Sequence, residues 1–300
     1  MRRTKIFVAA ALIAALALAS ASAQAVSFTD ARGQTLRLPG KAARVVSLSP
    51  ALTEILYAAG GGGSAVGVTS YCNFPPEADA LPEIGGYSPN AISIEAIVAL
   101  RPDLVIGELS AHGRLAEQLA AAGLRFAAFD LRDFDAIYAA MLQLGTVAGD
   151  GSIALKGVNA IKARLAAVGA KVGGIPAPSR PLVFWEVWDE PLMTAGPKTF
   201  IGQVLAAAGA RHAFADVEQD WPVISFEDIV VRKPDLIMAS DTHGVALSPE
   251  KLAARPGWAS LTAVKERRIV LLNGDIVSRP GPRFIEAVEL AAKALYPDRF

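Results

Sequence analysis

Apolar runs of two different periods alternate along the chain. Short unbroken runs at 44–49 (RVVSLS), 65–69 (AVGVT), 103–107 (DLVIG) and 125–130 (RFAAFD) read as buried strands in the first half. Runs at 181–187 (PLVFWEV), 235–240 (DLIMAS) and 268–273 (RIVLLN) read the same way in the second. Between them lie segments of helical spacing, among them ALTEILYAAG at 51–60 and TFIGQVLAAAG at 199–209, each an amphipathic helix that ends in glycine. Buried strands alternating with helices predict an α/β fold with mainly parallel sheets covered on both faces.

The two halves share a segment. SIEAIVALRPDLVIG at 93–107 aligns without gaps on SFEDIVVRKPDLIMA at 225–239, identical at seven of fifteen positions: Ser93/Ser225, Glu95/Glu227, Ile97/Ile229, Val98/Val230, Pro102/Pro234, Asp103/Asp235 and Leu104/Leu236. The unit has a physical reading. Serine caps a helix, glutamate in the first turn favours the positive end of its dipole, proline stops it, and a short buried strand follows. Ile153, Leu155, Val158, Ile161, Leu165 and Val168 recur at helical spacing in a stretch, Gly151 to Val172, without proline, which predicts one helix between the halves. The breaker-rich GGIPAPSRP at 173–181 follows it. The expected organisation is an N-terminal α/β lobe at 26–146, a connecting helix at 147–173 and a C-terminal α/β lobe at 174–300, each lobe with its own core.

The first 25 residues stand apart. Arg2, Arg3 and Lys5 precede an apolar run from Ile6 to Ala19, and small residues follow at Ala21, Ala23 and Ala25, the layout of a cleaved secretory signal. Export to the periplasm is the expectation, without a lipid anchor, because no cysteine stands at the signal end. Cys72 is the one cysteine in the sequence, so no internal disulfide is available. The leader holds three of the 29 basic residues and none of the 29 acidic ones, leaving a net charge near −3. That balance argues against nucleic-acid binding.

Catalytic signatures are absent from the sequence: there is no G-x-S-x-G, H-E-x-x-H, phosphate loop or G-x-G-x-x-G. A secreted α/β hydrolase would need a nucleophile with a base, and Ser49 carries no such signature. The Gly60–Gly63 run reads as a helix end and turn, and AGPKT at 195–199 as a helix start capped by Thr199 or a neighbour. His112, His212 and His243 are the only histidines, and none is paired with another at a ligand spacing, so they read as unrelated surface or loop residues without a metal. Tyr71, Phe74, Tyr87, Trp185, Trp188, Trp221 and Trp258 stand mostly beside Pro, Gly or Asp. Some of these rings belong to the core. The others suit the walls of a cleft for a large amphipathic solute. The GDIVSRPGPRF loop at 274–284 adds Asp275, Ser278, Arg279 and Arg283, polar groups able to orient a ligand edge.

The segments VVSLSPALTEILYAAG, VGVTSYCNFPPEA, SIEAIVALRPDLVIG, WPVISFEDIVVRKPDLI and GDIVSRPGPR together resemble the bacterial periplasmic binding proteins for vitamin B12, ferric siderophores and haem. The resemblance implies two α/β lobes joined by one long helix, a ligand held between them and little closure on binding. It implies docking on the permease of an ABC importer through one glutamate per lobe, here Glu95 and Glu227. It implies a solute-binding protein and no enzyme, acting as a monomer. The cleft loops are most similar to those of the vitamin B12-binding branch. On that basis Tyr71, Tyr87, Trp221, Asp275 and Arg279 are expected ligand contacts, and the aromatic reading adds Phe74, Trp185 and Trp188, the last two in a loop that aligns poorly with the pattern. Ile276, however, follows Asp275 where that pattern has an aromatic. A cobalt corrinoid is the expected ligand, with haem and ferric siderophores as alternatives. Haem would call on Tyr71 or Tyr87 as axial ligand and on Arg279 and Arg283 for its propionates.

Overall fold

A computed structural model describes residues 25–241 and 248–300. The expected signal segment, apart from its last residue, and His243 lie outside the described residues.

The described chain opens with a hairpin, β1 (Val26–Thr29) paired with β2 (Thr35–Leu38). The N-terminal sheet follows, built from β3 (Val45–Ser47), β4 (Ala65–Gly67), β5 (Leu104–Glu108) and β6 (Phe126–Phe129), all parallel, in the order β4-β3-β5-β6. The C-terminal sheet has β7 (Leu182–Asp189), β8 (Leu192–Thr194), β9 (Arg211–His212), β10 (Leu236–Ser240) and β11 (Ile269–Leu272). Its order is β11-β10-β7-β8, with β9 also beside β7 and β8 the one antiparallel strand. All seven expected strands are present. The hairpin, β8 and β9 lack the long apolar runs that marked the others.

The helices that matter below are α1 (Pro50–Ala58), α2 (Ile94–Ala99), α3 (Phe134–Val147), α4 (Gly151–Val172), α5 (Phe200–Ala207), α6 (Phe226–Arg232), α7 (Gly274–Val277) and α8 (Phe284–Leu295). Local sequence chemistry sets their ends. The Ser49 hydroxyl caps α1, Asp150 accepts from Ser152 and Ile153 at the start of α4, and Thr199 accepts from Gly202 at the start of α5. Gly60 follows α1 at φ +76°, and Gly209 follows α5 at φ +85°.

Side chains of each central strand alternate between two cores. Val45, Ile106, Trp185 and Met238 point to one side, and Val46, Val105, Phe184 and Ile237 to the other. The outer face of the N-terminal sheet packs under Ile84, Ile97 and Leu119, and that of the C-terminal sheet under Ile229, Leu252 and Trp258. The inner faces of both sheets belong to one continuous cluster, which includes Leu52 and Ile55 of α1, Met141 and Leu144 of α3, Val158 and Ile161 of α4, Leu205 of α5 and Val288 of α8. Each lobe thus keeps a core of its own under the outer face of its sheet, and a third, larger core is shared between the lobes. Phe134 of α3 stacks on Phe284 of α8 at a centroid distance of 4.0 Å, and Phe200 of α5 meets the same Phe134 edge-on at 6.2 Å.

The connecting helix α4 matches its expected span, but its first turn is rotated. Ile153 and Leu155 are exposed and Ala154 is buried. The reason is a close crossing with α3, where a β-carbon on Gly145 would lie 2.6 Å from that of Ala154. Only small residues fit there, so the larger side chains turn outward. Arg164 of α4 pairs with Glu289 of α8 at 2.6 Å.

Candidate ligand-binding site

In both sheets the order of strands reverses about the first strand of the lobe, between β3 and β5 and between β7 and β10. The crevice beyond the carboxyl ends of such strands is where open α/β sheets bind ligands. The chain ends that meet there carry most of the polar groups discussed below.

At the N-terminal switch point Glu108, the last residue of β5, is buried. Its carboxyl accepts hydrogen bonds from the Ser49 hydroxyl, just past β3, and from the Tyr87 hydroxyl. Burial raises its pKa, and these two hydrogen bonds only partly offset that. Burial likewise raises the Tyr87 phenol, with the neighbouring Glu108 acting in the same direction. His112 completes the cluster. Its Nδ1 accepts from the Glu108 amide at 3.1 Å, and its Nε2 lies 2.9 Å from the Tyr87 carbonyl. An accepting Nδ1 leaves Nε2 as the donor, so the ring is neutral, and burial lowers its pKa. The reading of His112 as a surface or loop residue is corrected: it is fully buried, packed edge-on against Tyr87 at 5.1 Å, and fastens the Tyr87 segment to β5.

That segment is shaped by Gly85, whose φ of +111° and closeness to the Ala91 carbonyl, 2.0 Å from any β-carbon, admit no other residue. Ser70 donates its amide to Gly85 at 2.9 Å, bringing the Tyr71 loop beside it. A β-carbon at Gly86 would sit 3.8 Å from the Tyr71 ring. Tyr71 and Tyr87 thus occupy adjoining loops. Tyr71 presents 58% of its surface to solvent.

The second polar cluster joins the lobes. Asp275 in α7 accepts from the Asn73 amide at 2.8 Å, and Arg279 donates to Asn73 at 2.7 Å and to Asp275 at 2.6 Å. Behind them Arg283 makes a bidentate pair with Glu54 of α1 at 2.9 and 2.6 Å, and Arg279 reaches the same carboxylate at 3.4 Å. The Arg283 guanidinium lies 4.0 Å from the centre of the Phe74 ring. The expected contacts Phe74, Asp275 and Arg279 therefore come together where the lobes meet, while Tyr71 stands beside the Tyr87 loop of its own lobe.

The tryptophans divide. Trp185 is only 1% exposed, in the middle of β7, where its side chain enters the shared core. Its assignment as a ligand contact is corrected, because a strand interior offers a solute no ring surface. Trp188, at the end of the same strand, is 44% exposed, and its indole donates to the Glu190 carbonyl at 2.8 Å. Met193 of β8 pairs with Trp188 and bridges to Val223, which places exposed Trp221 near the same edge. Trp221 also lines a cavity of about 380 Å³ with Phe214, Val217 and Ile224, all of the second lobe. Among the described residues neither tryptophan bonds to Asn73, Asp275, Arg279 or Arg283.

Sequence reasoning missed Glu54, Asn73 and Glu108, and also Glu186, which ends the inner part of β7 buried against Arg255 at 2.8 and 2.9 Å. A signal existed for three of them: a carboxylate inside or directly after an apolar run is costly unless paired. Among the described residues no group of three His, Cys, Asp or Glu side chains is arranged to hold a metal, and no helix is long and apolar enough to cross a membrane.

Comparison with known proteins decides the family. Residues 45–276 match the family model described as periplasmic binding protein. The chain belongs to that family. Members bind small molecules and work with ABC transporter permeases. An uncharacterised ABC transporter substrate-binding lipoprotein of Bacillus subtilis is 32% identical over 92% of this chain and 87% of its own length. The vitamin B12-binding protein of Salmonella typhimurium is 31% identical over 85% and 90%. Among solved structures, the vitamin B12-binding protein of Vibrio cholerae superposes with a TM-score of 0.71 at 27% identity, covering 85% of this chain and 97% of that one. A periplasmic haem-binding protein of Roseiflexus gives 0.75 at 28%, covering 86% and 99%. The two-lobed α/β architecture with its long connecting helix is the helical-backbone form of the family, and the relatives place the binding protein outside the cytoplasm.

Proposed function

We propose that this chain is a periplasmic solute-binding protein, exported by a signal at residues 1–25, that delivers a corrinoid of the vitamin B12 class to an ABC importer. The observation that carries the reading is the set of exposed aromatic rings at the carboxyl ends of both sheets, Tyr71 and Phe74 on one lobe and Trp188 and Trp221 on the other. Rigid rings lose little entropy on binding and match the apolar faces of a corrin, while Asn73, Asp275 and Arg279 offer hydrogen bonds suited to its amide edge. The similarity to vitamin B12-binding proteins of 29–31% identity supports the same reading.

Glu95 and Glu227 are the proposed permease contacts. Both are exposed, both occupy the second position of a helix capped by serine, and among the described residues neither forms an ion pair. One carboxylate on each lobe suits a partner with two-fold symmetry. The binding protein acts in this reading as a monomer without catalysis.

Haem is the second reading, favoured by the exposed Tyr71 phenol and the likeness to haem-binding structures. Against it stand Arg279 and Arg283, both engaged by carboxylates, and His112, whose two ring nitrogens face backbone groups. The test is to incubate purified protein with cyanocobalamin, haemin and a ferric siderophore, remove free ligand and record visible spectra. Retention of cyanocobalamin is expected. Retention of haemin or the siderophore alone overturns the corrinoid assignment.

A further inference from the structure

The repeated segment contains more than its glutamates. In α2 the fully buried Ile97 anchors the helix, while Glu95 and Val98 are exposed. In α6 Ile229 is buried, and Glu227 and Val230 are exposed. The two valines are 43% and 39% exposed, at equivalent positions one helical turn beyond each glutamate. Three residues further along each copy stands a basic residue, Arg101 or Lys233, in the left-handed conformation at φ 46° and 50°. Both are exposed, and among the described residues neither makes an ion pair. Each directly precedes a proline, Pro102 or Pro234, so a right-handed conformation is disfavoured there.

A glycine would occupy either position without strain. Both copies instead keep a β-carbon and a positive charge at the cost of a left-handed backbone, although the residue itself differs. A cation just past a helix C-terminus has a weak local benefit against the dipole, which either basic residue supplies from an exposed site. In the first copy the helix-end carbonyls of Leu100 and Arg101 are satisfied by Arg44, at 2.7 and 3.1 Å, without help from the Arg101 side chain. Each basic residue stands six positions after its glutamate, just past the end of the helix. The sign reverses along that span with an apolar residue between.

We propose that each lobe docks through this three-part stripe of glutamate, valine and basic residue, and that each half of a two-fold permease answers with a basic and an acidic side chain around an apolar contact. The inference rests on the docking role given above to Glu95 and Glu227. Opposed charges at the two ends of the stripe would fix the direction in which each lobe lies on the permease, which one glutamate per lobe leaves free to rotate.

The test uses the full mature protein and the host bacterium's ABC permease complex, purified and set in nanodiscs. Arg101→Gly with Lys233→Gly is expected to leave the melting temperature unchanged or higher, because strain is relieved. Its affinity for the permease is expected to fall roughly tenfold, with a shallower salt dependence. Arg101→Lys with Lys233→Arg is expected to retain wild-type affinity. If the glycine pair binds as the wild type does while Glu95→Ala with Glu227→Ala loses affinity, the basic contact is overturned and glutamate docking stands. If both pairs bind normally, the docking reading itself fails. Equal binding to empty nanodiscs of the same lipid, lost in the glycine pair, would assign the charges to lipid headgroups and overturn the permease partner.

Discussion

Arg283 of the C-terminal lobe donates two hydrogen bonds, of 2.9 and 2.6 Å, to Glu54 of the N-terminal lobe, whose carboxylate is almost wholly shielded from water. A pair so placed is costly to break from one side, since the surviving charge stays buried. Glu54→Ala is expected to destabilise the protein by about 3–5 kcal/mol, whereas Glu54→Leu with Arg283→Met is expected to cost far less. Urea unfolding of the three proteins checks the order. Equal losses in the single and double variants would show that the charges themselves are the stabilising element.

The shared core makes a different statement about the lobes. Phe134, Phe200 and Phe284 meet across the junction, and the inner faces of both sheets belong to one cluster. The lobes are expected to unfold in one cooperative transition, with calorimetric and van't Hoff enthalpies equal. Phe284→Ala is expected to lower the stability of the whole by about 3–5 kcal/mol. Two resolved transitions in scanning calorimetry would contradict the coupling.

Glu108 gives the stability a pH dependence of definite sign. Its folded pKa is raised above the unfolded value by burial, so the folded protein binds more protons as pH climbs out of the ordinary carboxylate range. Stability from this group is greatest below that range and declines as pH rises toward the folded pKa. Glu108→Gln, which keeps the hydrogen-bonding shape, is expected to flatten this part of the profile, measured as melting temperature between pH 4 and 8, a window of about four units around the carboxylate range. A profile identical to wild type would show that Glu108 ionises normally.

The two tryptophans of β7 separate packing from binding. Trp185→Ala is expected to cost about 3–5 kcal/mol of stability. Trp188→Ala is expected to change stability by no more than about 0.5 kcal/mol, yet to weaken solute binding roughly tenfold through the lost aromatic contact. Equilibrium unfolding and ligand titration on both variants distinguish the roles.

For the glutamates, Glu95→Ala with Glu227→Ala is expected to leave solute affinity intact while uptake by whole cells falls. Unchanged uptake would remove the docking role.

Local patterns determined a great deal. The apolar runs became strands, the serine, aspartate and threonine caps started their helices, and the internal repeat placed Glu95 and Glu227 at matching helix positions. These features depend on neighbours within a few residues, and sequence reports such neighbours directly. Three of the residues singled out in the sequence, Phe74, Asp275 and Arg279, do assemble where the lobes meet.

Tertiary structure alone decided which long-range partners those residues have. Trp185 and Trp188 are three apart in one strand and so point to opposite faces, Trp185 into the shared core and Trp188, near the strand end, into solvent. His112 is buried because both its nitrogens meet backbone groups, of Glu108 and of Tyr87, 25 residues away. The Glu54–Arg283 pair spans 229 positions. No period or propensity encodes such a pairing; it exists because the strand order and the shared core bring the carboxyl ends of two sheets face to face.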